Sequence, residues 1–265
     1  MVDCLHSTGG GGYTGPGDVV SGAYAWYSCS RGYNAADTAN ACNVCLPADT
    51  TCADLTLSAG FVVLPGSLST CNITTVICTV KTAYDKSGNG RNVTQATEAN
   101  RPTFRPAMAS NGCPTTALPC MLFTAASSQR LITAGGFTIS QPVTFSIVSN
   151  KASASNGQEQ FGFAAEMFLF TNNAVNRLTI WTGAASTPNV TVSDTAWHAL
   201  QAVVNRTSSN IYVDGSANAS SAAATGATNR QIFIAGPPSV SNYWGGYVAE
   251  AGIGWLRSTA RKPAT

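Results

Sequence analysis

The chain has 265 residues, of which 44% are hydrophobic and only 10% charged, with a formal net charge of +2. The apolar share can build a core, while Ser, Thr, Ala, Asn and Gly take the surface positions that charged residues usually fill. This near-neutral balance offers no electrostatic basis for a nucleic-acid partner, and no apolar run is long enough for membrane insertion.

Residues 1–17 contain Gly9-Gly10-Gly11-Gly12 and Gly15-Pro16-Gly17 and read as a flexible arm. Met1 to Gly12 has neither a basic n-region nor an apolar h-region, so a secretory leader is not expected there. In Val19 to Tyr27, Val20, Tyr24 and Tyr27 share one side of a short helix, and a strand fits the stretch nearly as well. Residues 28–60 are dense in Cys, Asp and Asn and read as a loop-rich, stapled segment. All nine cysteines (Cys4, Cys29, Cys42, Cys45, Cys52, Cys71, Cys78, Cys113 and Cys120) fall in the first 120 residues. Cys42-x-x-Cys45 has a zinc-ligand spacing, but no second such pair follows, and His6 and His198 stand alone. A thioredoxin-like role lacks a surrounding βαβ pattern. Disulfides are therefore the favoured reading, and no metal is expected. Disulfides without a leader fit a protein made in a cytoplasm and oxidised after release, as on a virion surface. The odd count leaves one cysteine over; Cys4, on the glycine-rich arm, is the candidate for a bond to another subunit.

Phe61 to Leu64 and Ile73 to Val80 have the look of short buried strands. Tyr84 to Val93 reads as a turn capped by Asp85, with Asn89-Gly90 supplying left-handed backbone. Asp85, Ser87 and Asn89 also alternate like the start of a calcium loop, but Ala96 stands where the bidentate Glu belongs. Strands are then expected at 121–123, 130–132 and 143–148, and around Phe161, Phe163, Phe168 and Phe170, which read as core. Arg177 to Trp181 follows. Trp197 to Gly215 is a hairpin whose two apolar runs flank a polar break and end in an Asp-Gly turn. Ile232 to Ile234 and Tyr247 to Trp255 complete about a dozen strands, without a long helix or internal repeat, and 258–265 is a polar tail. A hairpin this apolar needs a second sheet over its inner face, so the expected fold is an all-β sandwich.

Chemistry is harder to find. No nucleophile elbow, phosphate loop or His-Glu-x-x-His occurs, and no cofactor is expected. His198, beside Trp197, and Glu250, on the last strand, are expected to be structural. Tyr243 and Trp244 follow Pro237-Pro238 in an expected loop and are the leading exposed aromatics for stacking on sugar rings, with Trp181 second. The sequons at Asn72, Asn92, Asn189, Asn205 and Asn218 are expected from a Ser/Thr-rich composition alone.

Asp85-x-Ser87-Gly88-Asn89-Gly90-x-Asn92, Leu122-Phe123 and Gln141 to Ser146 resemble the opening half of laminin-G-like, concanavalin-type jelly-roll modules. Trp197-His198, Ile211 to Gly215 and Gly246 to Trp255 resemble the closing half. The implied layout is an arm at 1–17, a Cys-rich segment at 18–83 packed on the sandwich, the sandwich at 84–257 and a tail at 258–265. The stretch from Val19 to Gln95 is similar to the N-terminal region of the fungal-type α-L-arabinofuranosidase catalytic module, through Tyr84 to Gly90 and Val93-Thr94-Gln95. Phage tail and capsid-surface proteins also resemble it in the entry Pro16 to Ala23. The vicinal cysteine pair of the arabinofuranosidase sugar site has no counterpart here. Its nucleophile, which lies in a Met-Glu context, is matched only by Glu166 in Ala164-Ala165-Glu166-Met167, with Asp194 the nearest acid/base partner. A retaining glycosidase needs two carboxylates about 5 Å apart. The expectation is a bacteriophage virion surface protein: a decoration, spike or fibre module. It would partner itself and other virion proteins and meet host polysaccharide. The alternatives are an arabinofuranosidase-like glycoside hydrolase and a purely structural, disulfide-linked capping protein.

Overall fold

A computed structural model describes residues 23–31, 39–108, 110–114, 118–151, 158–164, 167–172, 177–181, 190–192, 195–219, 227–237 and 242–254. The N-terminal part contributes β1 (Ala23–Ser28), β2 (Cys42–Cys45), β3 (Cys52–Asp54), the hairpin β4 (Thr56–Ser58) and β5 (Phe61–Val63), β6 (Thr79–Ala83), β7 (Val93–Thr94) and β8 (Thr103–Arg105). Next come β9 (Cys120–Phe123), β10 (Leu131–Thr133), β11 (Phe137–Ile139), β12 (Val143–Lys151), β13 (Gln158–Phe163), β14 (Met167–Asn172), β15 (Arg177–Trp181) and β16 (Val190–Thr191). The chain ends in β17 (Trp197–Val204), β18 (Asn210–Val213), β19 (Ser216–Ala219), β20 (Ala227–Arg230), β21 (Ile232–Ile234) and β22 (Gly246–Gly254). Among the described residues the helices are single 3-10 turns.

These strands form a concanavalin-like jelly-roll sandwich. A front layer runs β18–β17–β12–β22–β1, and β22 also pairs with β9. A back layer runs β15–β14–β13–β21–β10–β7. Pairings β9–β8, β8–β6 and β6–β7 join the two layers into one folded-over ladder. Period-two alternation decides which residues meet between them. In β12, Val143, Phe145, Ile147 and Ser149 are buried while Thr144, Ser146, Val148 and Asn150 are half-buried. The Phe145 ring packs edge-on against Phe161 and Phe163 of β13, each at 6.1 Å between centroids. The expected hairpin forms as β17–β18 in register Leu200↔Val213. Its exit turn carries positive φ at Asp214 (49°) and Gly215 (81°), the geometry that favours Asp-Gly.

Three expectations are corrected. Tyr24 to Tyr27 lie in strand β1 rather than a helix, because both faces of the stretch are covered. On its outer side Trp26 lies over Gly252, where an added Cβ would sit 2.8 Å from the Trp26 Cδ1. Phe61 and Val63 are 46% and 44% exposed rather than buried, since β5 ladders with β4 in a separate two-stranded sheet and meets the rest of the chain through a single bridge, Arg31↔Phe61, among the described residues. The strand expected from Ile73 starts at Thr79, because the Asn72 Oδ1 accepts the N–H groups of Thr74, Thr75 and Val76 and holds that stretch in a turn.

The turn reading of Tyr84 to Val93 holds. The Asp85 Oδ1 accepts the amides of Trp26 (3.1 Å) and Ser87 (2.9 Å), and its Oδ2 accepts that of Arg91 (2.9 Å). Four disulfides close: Cys29–Cys42, Cys45–Cys52 and Cys71–Cys78 within the Cys-rich segment, and Cys113–Cys120 beyond it. Cys45, Asp49 and Cys52 lie close together, but both thiols of that cluster are joined to each other. Four closed disulfides mark a protein of an oxidising, extracellular setting. No helix among the described residues is long and apolar enough to cross a membrane. Cys4 lies outside the described residues.

Peptide mapping without reduction should recover these four pairs and leave Cys4 without a mate inside the chain. Replacing both Cys29 and Cys42 by Ser opens a loop of 13 residues and should cost about 3 kcal/mol in denaturant titrations.

Candidate functional site

The back layer has an outer face that carries an uncommon set of side chains. Ile132 of β10 pairs with Phe233 of β21, and Phe233 pairs with Gly162 of β13. Phe233 and Ala164 are buried together on this face, with Ile132 and Trp181 packed against them. Gly162, opposite Phe233, places no side chain of its own on this face.

Glu159 lies at one end of this row. A register shift between Glu159 and Phe161 is the mark of a β-bulge. Gln160 points inward, where its Nε2 donates to the Ser149 Oγ (2.6 Å), and Phe161 points inward onto Phe145. Two successive inward residues leave Glu159 on the outer side. Its Oε1 accepts a long hydrogen bond from the Asn242 Nδ2 (3.4 Å), and its Oε2 is buried without a partner. The residue is 6% exposed. Burial raises its carboxyl from 4.5 to about 7, with the Asn242 hydrogen bond opposing the shift. A carboxyl of this kind keeps part of its population protonated near pH 7 and can donate a proton or a hydrogen bond.

Tyr243 stands beside it, bridged to Glu159 through the backbone. The Arg130 Nη1 donates to the Tyr243 hydroxyl (2.8 Å) and to the Pro237 carbonyl (3.2 Å), and its guanidinium lies 5.4 Å from the Tyr243 ring centre. Two of the three expected aromatics, Tyr243 and Trp181, are thus half-buried on the same outer face as Glu159. The third is corrected: Trp244 is 1% exposed and belongs to the core. Successive residues of an extended chain point to opposite faces, so Tyr243 and Trp244 cannot both look outward. Glu166 and Asp194 lie outside the described residues.

The other described carboxylates are engaged elsewhere. Asp49 pairs with Arg101, Asp54 accepts from Asn40, Asn43 and Tyr84, and Glu98 accepts the Ala48 amide. Glu250 is 3% exposed and paired with Arg31, in the structural role expected of it. His198 faces the inner end of the sandwich, with its Nδ1 2.7 Å from the Asp214 Oδ2. There Ser149, Lys151, Gln160, Leu178, His198 and Trp244 line a narrow cleft, and burial pulls the Lys151 ammonium below its ordinary value.

Glu159 and Arg130 were missed from the sequence. The available signal was Gln158-Glu159-Gln160, three polar residues opening a strand that continues into Phe161-Gly162-Phe163.

No known sequence family matches the chain, and no curated protein matches it in sequence. Solved structures do match in fold. One is an arabinofuranosidase complexed with arabinofuranosyl-alpha-1,2-xylobiose: TM-score 0.66 and 12% identity, covering 88% of this chain and 59% of that one. Another is a GH54 a-l-arabinofuranosidase soaked with a cyclic sulfate inhibitor: TM-score 0.68 and 13% identity, covering 89% of this chain and 60% of that one. The chain therefore spans less than two thirds of these structures, and the likeness is one of fold.

The Glu159 carboxyl titrates higher in the folded than in the unfolded chain. The fold thus holds a proton that the unfolded chain has lost, and stability falls as pH rises from 4.5 to about 7. Glu159→Gln should remove this loss. At pH 8 it should be the more stable protein by up to about 3 kcal/mol, a gap that closes by pH 4, as read by denaturant midpoints.

Proposed function

We propose that the chain is a carbohydrate-active protein of the arabinofuranosidase type, handling a neutral furanoside on the outer face of the back layer. The observation that carries this reading is Glu159, a buried carboxyl with an unpartnered oxygen, set beside Tyr243 on a face that also carries Trp181. Aromatic faces stack on the apolar faces of sugar rings, while Asn242 and Glu159 supply groups that hydrogen-bond hydroxyls. The arabinofuranosidase likeness of the fold supports the substrate class.

In this reading Glu159 serves as the general acid that protonates the leaving glycosidic oxygen, a role suited to a carboxyl raised to about 7. Hydrolysis also needs a second carboxylate, for which Glu166 and Asp194 remain the candidates by sequence. The chain should release nitrophenol from 4-nitrophenyl α-L-arabinofuranoside, and Glu159→Gln should lower kcat/KM at least 100-fold. Full activity in Glu159→Gln would remove Glu159 from the mechanism. Saturable sugar binding without turnover would make the protein a lectin-like module.

A second reading, a virion-surface component joined to itself and to other virion proteins, rests on the cysteines. Eight are closed in pairs, so Cys4 has no mate within the chain. Non-reducing electrophoresis should then give covalent oligomers that Cys4→Ser abolishes, whereas a monomer in both would count against this assembly.

A further inference from the structure

The front layer has an outer face of its own, on the side of the molecule away from Glu159. Outward residues of β17 are Trp197, Ala199, Gln201 and Val203, since His198, Leu200, Ala202 and Val204 point in or are buried. Cross-strand register then sets two lateral rows. Tyr247, Asn150 and Trp197 form one, and Gly252, Ser146, Gln201 and Tyr212 form the other. Between them Val148 and Ala199 form the floor of a groove whose walls include Ser146, Gln201 and Tyr212. The floor is low because its residues are small; Tyr212 stands on one side of it, and Trp197 stands in the row beyond it on the other.

Trp197 is firmly placed. Its Nε1 donates to the Gly112 carbonyl (3.1 Å), and its ring lies 6.2 Å from that of Tyr247. Tyr247 is in turn packed on Gly112 and stacked beneath the Arg105 guanidinium at 5.9 Å. At the other end Tyr212 neighbours Gln201, whose Nε2 donates to the Ser146 Oγ (3.5 Å). Both carboxylates near this face are engaged, and the Arg105 guanidinium lies over the Tyr247 ring. Asp214 accepts the Ala199 amide (2.9 Å) and pairs with His198, while Glu250 pairs with Arg31. The two rows are four residues apart along β17, or about 14 Å, which suits a short run of linked sugar rings.

We propose that this groove is a second carbohydrate site, which takes a segment of a neutral polysaccharide and is separate from the Glu159 face. Its lining is Ser146, Gln201 and Tyr212 beside an apolar floor, with Trp197 in the row beyond that floor, and no lining side chain carries a charge. That chemistry favours an uncharged polyol chain over an acidic one. Trp197 supplies the stacking platform, and Ser146 and Gln201 meet ring hydroxyls. The inference rests on the carbohydrate reading above for its ligand class only.

Affinity electrophoresis in native gels containing arabinan, with polygalacturonate as the acidic control, tests it. Glu159→Gln is the reference protein, so that hydrolysis cannot consume the gel. It should be retarded by arabinan and not by polygalacturonate. Trp197→Ala in that background should weaken retardation at least fivefold. Ser146→Arg, which fills the groove without touching the Trp197 packing, should do the same and guards against misfolding of the tryptophan variant. As single variants, both should keep the wild-type response to Glu159-dependent substrates such as 4-nitrophenyl α-L-arabinofuranoside. Unchanged retardation in both groove variants, stronger retardation by polygalacturonate, or no retardation of the reference protein would each overturn the groove. Lack of nitrophenol release by the wild type would bear on the Glu159 reading alone.

Discussion

The contact between Phe145 and the pair Phe161 and Phe163 joins the two layers, and the rest of the structure is arranged around it. A strand offers alternate residues to opposite faces, so placing these rings inside fixes the facing of β12 and β13 along their length. The inner row of β12 is apolar from Val143 to Ile147 and ends in Ser149, which is satisfied by Gln160 from the opposite layer. Because the two layers are one hydrogen-bonded ladder folded over, register errors in either would expose phenylalanines in the other.

The same constraint makes Glu159 unusual. A regular β13 would put Gln160 and Phe161 on opposite sides, but the bulge turns both inward and leaves Glu159 against the outer face. There it is shielded by its surroundings, yet among the described residues only Asn242 reaches it, at 3.4 Å. The desolvation of a carboxylate without a cationic partner is unfavourable, and the group responds by holding its proton to about pH 7. Arg130, on the same face, is turned toward Tyr243 and Pro237 instead. Strained or under-satisfied polar groups of this kind are more at home in functional sites than in frameworks.

The disulfides serve a different end. Three of the four close loops between cysteines seven residues apart. They brace short strands such as β2 and β3, which have few residues with which to hold themselves. Arg101 adds to the bracing: it is buried, pairs with Asp49 and donates to the carbonyls of Gln95 and Ala96. Little of this depends on surface charge, in keeping with a sequence that is only 10% charged.

The sequence alone determined the all-β class, the hairpin from Trp197 to Gly215, the Asp85 turn and the stapling of the Cys-rich segment. Each is written in local signals: alternation, an Asp-Gly pair, an Asx cap or a cysteine count. It also placed Tyr243 and Trp181 among the aromatics of interest, while Trp244 went to the core because neighbours in an extended chain face opposite ways. Only the tertiary structure decided that Glu159, Tyr243, Arg130 and Trp181 share a face. They come from four separate stretches of chain, and a one-residue bulge, invisible to period-two counting, sets the direction of the carboxyl. The exposure of Phe61 and Val63 was likewise beyond the sequence, because an apolar hairpin looks the same whether or not another layer covers it.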